Sequence, residues 1–313
     1  MTFLERLDPA LRPVLDQLPA TDLSRDIVAT RPAARALAEQ QWAAFPEVPE
    51  VEVVDHDAGG VRVRTYSHRE RRPGTPALYW IHGGGMVGGF VEGDDFMCKT
   101  WARKLGCLVA SVEYRLAPEH QYPAHVDDCY GGLTWFVSRA DELGFDPSRV
   151  VLGGASAGGG LAAATALVAR DRGEIALTHQ MLIFPMIDDR GVTASTNEIQ
   201  EARVWNGTAN RHAWRAYLGD RAGTDDVPIY AAPARATVDD LRGLPPAYID
   251  VGELDPFRDE DIQYAQKLLQ AGVPCELHVT PGAFHGSEAM VLEAPTSVSI
   301  RGYRREFLRR ALS

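Results

Sequence analysis

A serine, Ser156, lies in the middle of the run GGASAGGG at residues 153–160. The apolar segment before it, 149–152, is typical of a buried strand, and the Ala-rich segment after it, 161–170, is typical of a helix. A flexible Gly/Ser linker would lack both flanks. The run fits Gly-x-Ser-x-Gly, the sharp strand-to-helix turn that exposes a serine hydroxyl. The pattern predicts that Ser156 is a nucleophile able to attack an acyl carbon.

A serine nucleophile needs a base, and the base needs an acid that orients it. In hydrolases with this type of turn, the acid and then the base follow the serine along the chain. Asp255 comes directly after the strand-like run 247–251, in the segment Gly252-Glu253-Leu254-Asp255-Pro256. This position predicts that Asp255 lies at the carboxyl edge of the sheet and is the acid. Glu253, in the same loop, is the alternative acid.

Histidine is the residue type expected for the base. Four histidines follow the serine: His179, His212, His278 and His285. Only the last two come after Asp255. His278 lies inside the strand-like run 275–280, whereas His285 lies in the loop after it. The base must lie at the loop edge, so the sequence predicts His285 as the base and His278 as a structural residue.

A developing oxyanion needs backbone N–H donors, and consecutive glycines can present them without obstruction by side chains. The segment 82–85, His-Gly-Gly-Gly, follows the strand-like run 77–81. We expect an oxyanion hole made by the N–H groups of Gly83, Gly84, Gly85 and Ala157. His82 precedes the serine in the chain, and we expect it to hold the glycine loop by hydrogen bonding.

The same glycines suggest a second kind of site. Residues 83–88, GGGMVG, fit the G-x-G-x-x-G pattern of dinucleotide binding, and the next strand ends in an acid, Glu113. That pattern must open a helix directly, whereas here no helix can begin before about Asp94. The sequence therefore predicts no dinucleotide cofactor.

Strand-like runs alternate with helix-like segments through most of the chain, which predicts a mostly parallel sheet covered by helices on both faces. The runs with strand character are 51–55, 61–66, 77–82, 107–113, 149–153, 180–185, 246–251 and 275–280, and the helix-like segments are 94–105, 124–141, 158–171, 259–271 and 296–311. The turn 57–60 between the first two runs predicts a hairpin, so the sheet should begin antiparallel.

Two regions do not follow this alternation. Residues 1–45 and 188–243 have helix-like apolar spacing, and the second region is inserted at the edge where such sheets bind ligands. We predict that both form one helical cap over the site, with a core made of 46–187 and 244–313. The alternative is that they only cover an edge of the sheet.

The composition excludes several classes of partner. The formal net charge of −11 disfavours nucleic acid and anionic membranes. No apolar stretch is long enough for stable membrane insertion, and charges interrupt the N-terminus at once, unlike a secretory signal. The four cysteines have no metal-like spacing, so we expect reduced thiols, no metal and a cytoplasmic protein.

With these parts in order, the chain resembles the hormone-sensitive-lipase-like (bacterial family IV) carboxylesterases of the α/β-hydrolase fold. The blocks that carry the resemblance are His82–Gly85, Tyr114–Glu119, Gly154–Gly159, Asp255–Glu260 and His285-Gly286. The resemblance implies a mostly parallel eight-stranded sheet flanked by helices, with a two-part helical cap. It also implies a Ser156–His285–Asp255 triad, no cofactor, short-chain acyl esters as substrates, and a homodimer formed through the edge strand near 275–280.

Three residues depart from the family's pattern: Ala155, Met86 and Ser287. None removes a catalytic group, but each could shift the substrate preference. The same machinery also serves amidases, lactonases and deacetylases, and some receptors use this fold without catalysis. Such receptors typically lose a triad member, whereas all three candidates are present here.

Overall fold

Eight runs rich in β-branched and aromatic residues form one mixed sheet in the computed structural model, which describes residues 1–20, 26–42 and 45–313. The strands are β1 (Val51–Asp57), β2 (Arg62–His68), β3 (Thr75–Ile81), β4 (Leu108–Glu113), β5 (Phe145–Ala155), β6 (His179–Ile183), β7 (Ala247–Leu254) and β8 (Cys275–Phe284). Their order across the sheet is β1-β2-β4-β3-β5-β6-β7-β8. All eight predicted strands are confirmed.

The sheet begins antiparallel and becomes parallel, as the hairpin signal predicts. β1 pairs with β2 and β2 with β4 in antiparallel register, and the other neighbours pair in parallel. In the hairpin turn, Gly59 and Gly60 have φ of 77° and 95°, which favour glycine. The inner strand β3 is buried along nearly its whole length, whereas in the edge strand β1 only the first residue, Val51, is buried.

Helices cover both faces of the sheet. Those of the described residues are α1 (Phe3–Arg6), α2 (Arg12–Leu15), α3 (Ile27–Trp42), α4 (Asp95–Leu105), α5 (Ala124–Ser138), α6 (Ala140–Leu143), α7 (Ala157–Arg172), α8 (Ala194–Glu198), α9 (Gly207–Leu218), α10 (Arg258–Gln270), α11 (Ser287–Met290) and α12 (Pro295–Ala311). α5, α7 and α10 contribute to one apolar cluster, and α4 and α12 contribute to a second. The predicted segment 124–141 is two helices, because the chain turns at Arg139.

A third apolar cluster joins the N-terminal segment to the insertion after β6. Leu7, Leu11 and Leu15 pack with Ile199 and Val204 of the insertion. The cluster also includes Leu254 and Phe284, the last residues of β7 and β8. The two regions predicted to form a cap therefore share one apolar interior. The parts of that prediction on residues 21–25 and 43–44 lie outside the described residues.

The insertion 188–243 has less helix than the sequence predicts. Besides α8 and α9 it contains the short 3-10 helices Gly219–Arg221, Pro233–Arg235 and Asp239–Leu241, joined by turns. All four cysteines are free, and three of them are buried. Within the described ranges, no helix combines the length and the apolarity that crossing a membrane would require.

Candidate active site

Ser156 lies at the turn between β5 and α7, in a backbone conformation that non-glycine residues rarely adopt. Its φ is 58° and its ψ is −122°. The turn is close because the residues two positions away on either side lack Cβ atoms. A Cβ on Gly154 would lie 2.1 Å from the carbonyl oxygen of Gly158, and one on Gly158 would lie 2.0 Å from that of Ile81. The Ser156 N–H donates to the Ile183 carbonyl at 2.9 Å, which ties the turn to β6.

The structure brings together the three residues that the sequence singles out as nucleophile, base and acid. Oγ of Ser156 lies 3.0 Å from Nε2 of His285, and Nδ1 of His285 lies 2.7 Å from Oδ2 of Asp255. Asp255 is fully buried, whereas the His285 side chain is 12% exposed and Ser156 is 7% exposed. An ionised carboxylate only accepts hydrogen bonds, so Nδ1 carries the proton and Nε2 is free to accept from the serine.

The second oxygen of Asp255 is also held. Oδ1 accepts the backbone N–H of Phe257 at 2.9 Å, which fixes the rotation of the carboxylate. Two nearby carboxyl groups, Glu260 and Asp261, are buried in α10, and burial raises the pKa of each well above its usual value. This shift favours their neutral forms and limits the negative charge around Asp255. Glu260 Oε1 accepts the backbone N–H of Ile187 at 3.0 Å.

Three aromatic side chains surround the His285 imidazole, and the sequence did not single out any of them. Phe184 lies edge-on at 4.5 Å between ring centroids, Phe257 lies edge-on at 5.2 Å, and Trp205 lies at 6.3 Å. Phe184 directly follows β6, and Phe257 lies three residues after the end of β7. Aromatic residues just after the ends of strands are therefore a signal that could have identified both. No local signal marks Trp205.

The alternative acid, Glu253, has other partners. Its Oε2 accepts the N–H of Gly282 at 2.9 Å, and its Oε1 accepts from Nε of Arg6 at 3.0 Å. It therefore links the N-terminal segment to the end of β8. His278, predicted to be structural, bonds Glu276 at 2.8 Å in β8.

The glycine loop lies against Ser156. A Cβ on Gly83 would lie 2.9 Å from the carbonyl oxygen of Ala155 and 3.4 Å from Cβ of Ser156, so the absence of a side chain lets the loop approach the serine closely. Gly84 has a φ of 120° and Gly85 one of 62°, both suited to glycine. Ala157 is buried in the first turn of α7, where the backbone N–H groups and the helix dipole favour negative charge.

The loop is followed by a turn and a 3-10 helix at Val91–Asp94, and α4 begins only at Asp95. The glycines thus do not open a helix, as the sequence indicates. His82 Nδ1 donates to the Gly83 carbonyl at 2.8 Å, and its ring stacks on Tyr114 at 4.2 Å. The Tyr114 hydroxyl donates to the His82 carbonyl at 3.0 Å. These contacts fix the position of the glycine loop.

A buried ion cluster lies next to the segment that carries His285. Arg304 of α12 makes two hydrogen bonds to Asp250 of β7, at 2.6 and 2.9 Å, and one to Glu288 of α11 at 2.6 Å. Its guanidinium also lies 5.3 Å from the centre of the Phe184 ring. Because α11 begins two residues after His285, the cluster fastens the segment that carries His285 to the sheet.

Two of the three residues that depart from the resembling family's pattern are buried. Met86 is buried in the main core with a φ of 64°, and its carbonyl accepts from Nε2 of His125 at 3.1 Å. Ser287 is buried at the start of α11. Ala155 is partly buried and packs against the core cluster that includes α4 and α12.

Comparisons with known proteins agree on one family. The family pattern of the alpha/beta hydrolase fold matches residues 78–289. Carboxylesterase NlhH of Mycobacterium tuberculosis is 35% identical over 317 residues, which cover 98% of this chain and 96% of the relative. The solved structure of a bacterial heroin esterase is 43% identical, covers 100% of both chains and superposes with a TM-score of 0.95. Esterase LipW from Mycobacterium marinum is 37% identical, covers 98% of this chain and 96% of its own, and superposes with a TM-score of 0.85.

Proposed function

The chain belongs to the hormone-sensitive-lipase-like family of α/β hydrolases and is a carboxylic ester hydrolase, and we propose that it cleaves short-chain acyl esters through an acyl-enzyme on Ser156. The observation that carries the proposal is the continuous relay from Ser156 Oγ through His285 to Asp255, with distances of 3.0 and 2.7 Å. The relay supplies a nucleophile, a base and an orienting acid in one buried line.

The reaction follows from this geometry. Oγ of Ser156 attacks the ester carbonyl while Nε2 of His285 takes its proton, and Asp255 stabilises the imidazolium. The oxyanion accepts hydrogen bonds from N–H groups of the glycine loop and of Ala157, each typically worth about 3–4 kcal/mol in the transition state. The imidazolium then returns the proton to the leaving alkoxide, and the alcohol departs. Water attacks the acyl-enzyme by the same route and releases the acid.

We also propose that residues 1–45 and 188–243 act as a cap over this site. Two contacts support it. In α3, Nε of Arg31 donates to the carbonyl of Val87 at 2.6 Å, just after the glycine loop. In the insertion, the ring of Trp205 lies on Gly85. Contacts with the glycine loop from two segments support a cap that restricts the space above the loop, and such a restriction would favour short-chain substrates.

The first test is hydrolysis of p-nitrophenyl esters from C2 to C16 by the wild type, Ser156→Ala and Ser148→Ala. Ser148 is an exposed serine in the same strand and serves as the matched control. We expect the rate to peak between C2 and C6, to be unaffected in Ser148→Ala, and to fall at least about 10³-fold in Ser156→Ala. A full rate in Ser156→Ala would overturn the proposal. Turnover of anilides alone would overturn the ester assignment and retain the triad, and turnover of lactones alone would restrict the substrates to cyclic esters.

We propose further that the protein is cytoplasmic and forms a homodimer through β8. The free cysteines support the first, and the position of β8 at the edge of the sheet supports the second. Size-exclusion chromatography with light scattering tests the dimer, and cell fractionation tests the location.

A further inference from the structure

Trp205 lies in direct contact with the backbone of the glycine loop. A Cβ on Gly85 would lie 2.3 Å from Cη2 of the indole and 3.0 Å from Cζ2. The ring thus fills the space that a side chain at position 85 would take. Gly85 carries one of the N–H groups assigned to the oxyanion hole, so the indole borders the place where the ester carbonyl binds.

The same ring faces the base. The centroids of the Trp205 and His285 rings are 6.3 Å apart, and the planes are tilted by 35°. Trp205 therefore spans from the oxyanion loop to the imidazole. During acylation, Nε2 must give its proton to the leaving oxygen, so the alcohol portion of the ester must lie beside the imidazole. The indole forms a wall at that position.

The residues directly before and after Trp205 in the sequence, Val204 and Asn206, are both held in place. The side chain of Asn206 accepts the N–H of Ala209 at 2.9 Å and caps α9, while its amide donates to the carbonyls of Glu201 and Val204. Val204, the residue before Trp205, is buried in the leucine cluster of the N-terminal segment. The indole has little freedom to move aside for a larger substrate.

We infer that Trp205 is a specificity-determining residue that limits the bulk of the leaving alcohol. The inference rests on the proposed esterase function and names which half of the ester the enzyme restricts. With the indole in place, the esters of small alcohols fit between the loop and the base, and branched or cyclic alcohols collide with the ring. The acyl half is not governed by this residue.

The indole nitrogen of Trp205 allows a matched control variant at a second tryptophan. Within the described residues, the buried Nε1 of Trp205 has no hydrogen-bond partner, and the same is true of Nε1 of Trp214 in α9. Removing an unpaired buried donor costs the fold no hydrogen bond. Trp205→Phe and Trp214→Phe each remove one such donor and keep an aromatic ring, but only the first is at the site.

The test compares kcat/KM for acetate esters of methyl, butyl and cyclohexyl alcohols, followed by pH-stat, in the wild type and four variants. In Trp205→Ala we expect the cyclohexyl-to-methyl ratio to rise on the order of tenfold, the scale on which pocket size discriminates. Trp205→Leu should give a smaller rise, and it provides the measurement if the alanine variant does not fold. Trp205→Phe shortens the ring that reaches Gly85 and should also give a smaller rise, whereas Trp214→Phe loses the same kind of unpaired donor in α9 and should keep the wild-type ratio.

A parallel series of p-nitrophenyl esters from C2 to C8 varies the acyl half alone. Its profile should not change in Trp205→Ala. A change confined to the acyl series would overturn the assignment to the alcohol, and an unchanged ratio in both series would overturn the inference while leaving the esterase function intact. A wild type that hydrolyses none of these esters would overturn both.

Discussion

Substitution of Asp255 by asparagine should lower kcat about 10⁴-fold, the loss typical when the acid of a serine triad becomes an amide. Oδ1 of Asp255 accepts the Phe257 N–H at 2.9 Å, and Oδ2 faces Nδ1 of His285 at 2.7 Å. In the variant, the amide oxygen must stay on Phe257, because an NH₂ group there would face another donor. The amide nitrogen then faces His285.

This orientation reverses the tautomer of the imidazole. The amide nitrogen only donates, so Nδ1 must accept, and the ring proton moves to Nε2. Nε2 lies 3.0 Å from Oγ of Ser156 and would then donate to it. The serine hydroxyl loses its base, although no heavy atom has moved. A loss of 10⁴-fold corresponds to about 5.4 kcal/mol in the activation free energy.

The assay is kcat and kcat/KM on p-nitrophenyl acetate, with a thermal melt of each protein. Glu253→Gln is the matched control, because it makes the same change to the other carboxylate of that segment. A glutamine can still accept the N–H of Gly282, so we expect its kcat to stay within about tenfold of the wild type. An Asp255→Asn variant that keeps more than a tenth of the rate, or a larger loss in Glu253→Gln, would refute the reasoning.

Other predictions concern stability. Arg304→Met leaves two buried carboxylates unpaired and should cost about 3–5 kcal/mol in urea unfolding, whereas Arg310→Met, at an exposed pair, should cost at most about 1 kcal/mol. Gly131→Ala meets open space at an exposed position of α5 and should stabilise by about 0.5–1 kcal/mol, but Gly132→Ala would place a Cβ 2.4 Å from the Tyr79 hydroxyl oxygen and should destabilise by about 1–3 kcal/mol. Burial lowers the pKa of His125 from 6.5 to about 4, so the unfolded chain binds the proton more readily and stability should fall by ~3 kcal/mol as the pH drops through that window.

Each of these has an outcome that contradicts it. Equal losses in the two arginine variants would mean that burial does not set the cost of an unpaired carboxylate. The same sign for the two glycine variants, in paired urea titrations, would contradict the packing argument. For the histidine, urea unfolding at pH 7, 5.5 and 4.5 is compared with His125→Gln. A slope that persists in the variant would assign the pH dependence to other groups.

The parts of the molecule that could be predicted from the sequence depend on local pattern. The strands were predictable because the inner ones are buried on both faces and read as unbroken apolar runs. Ser156 was predictable because the tight turn admits only glycine at Gly154 and Gly158. Asp255 and His285 followed from chain order and from their positions after strands. That the three side chains would lie within hydrogen-bonding distance remained for the structure to determine.

The rest depends on contacts between distant segments, which no local pattern encodes. Phe184 and Trp205 approach His285 from different parts of the chain, and only the folded arrangement makes them neighbours. The sequence places Glu253 in the loop after a strand that ends at residue 251. In the structure β7 continues to Leu254, so Glu253 lies within the strand. The insertion has fewer helices than its composition suggests, because its backbone is fixed by side chains such as that of Asn206 rather than by helical periodicity.

The ion cluster of Arg304 has a consequence for how the enzyme is made. Ser156 and the glycine loop are synthesised well before α12, yet the ion pairs that fasten the segment after His285 to the sheet, through Glu288 and Asp250, form only when Arg304 of α12 is present. A nascent chain can complete most of its sheet and still lack a seated base. We therefore expect that a nascent chain ending before Arg304 has the strands of the sheet but lacks the ion cluster that positions the segment after His285, so that full ester cleavage requires the synthesis of α12.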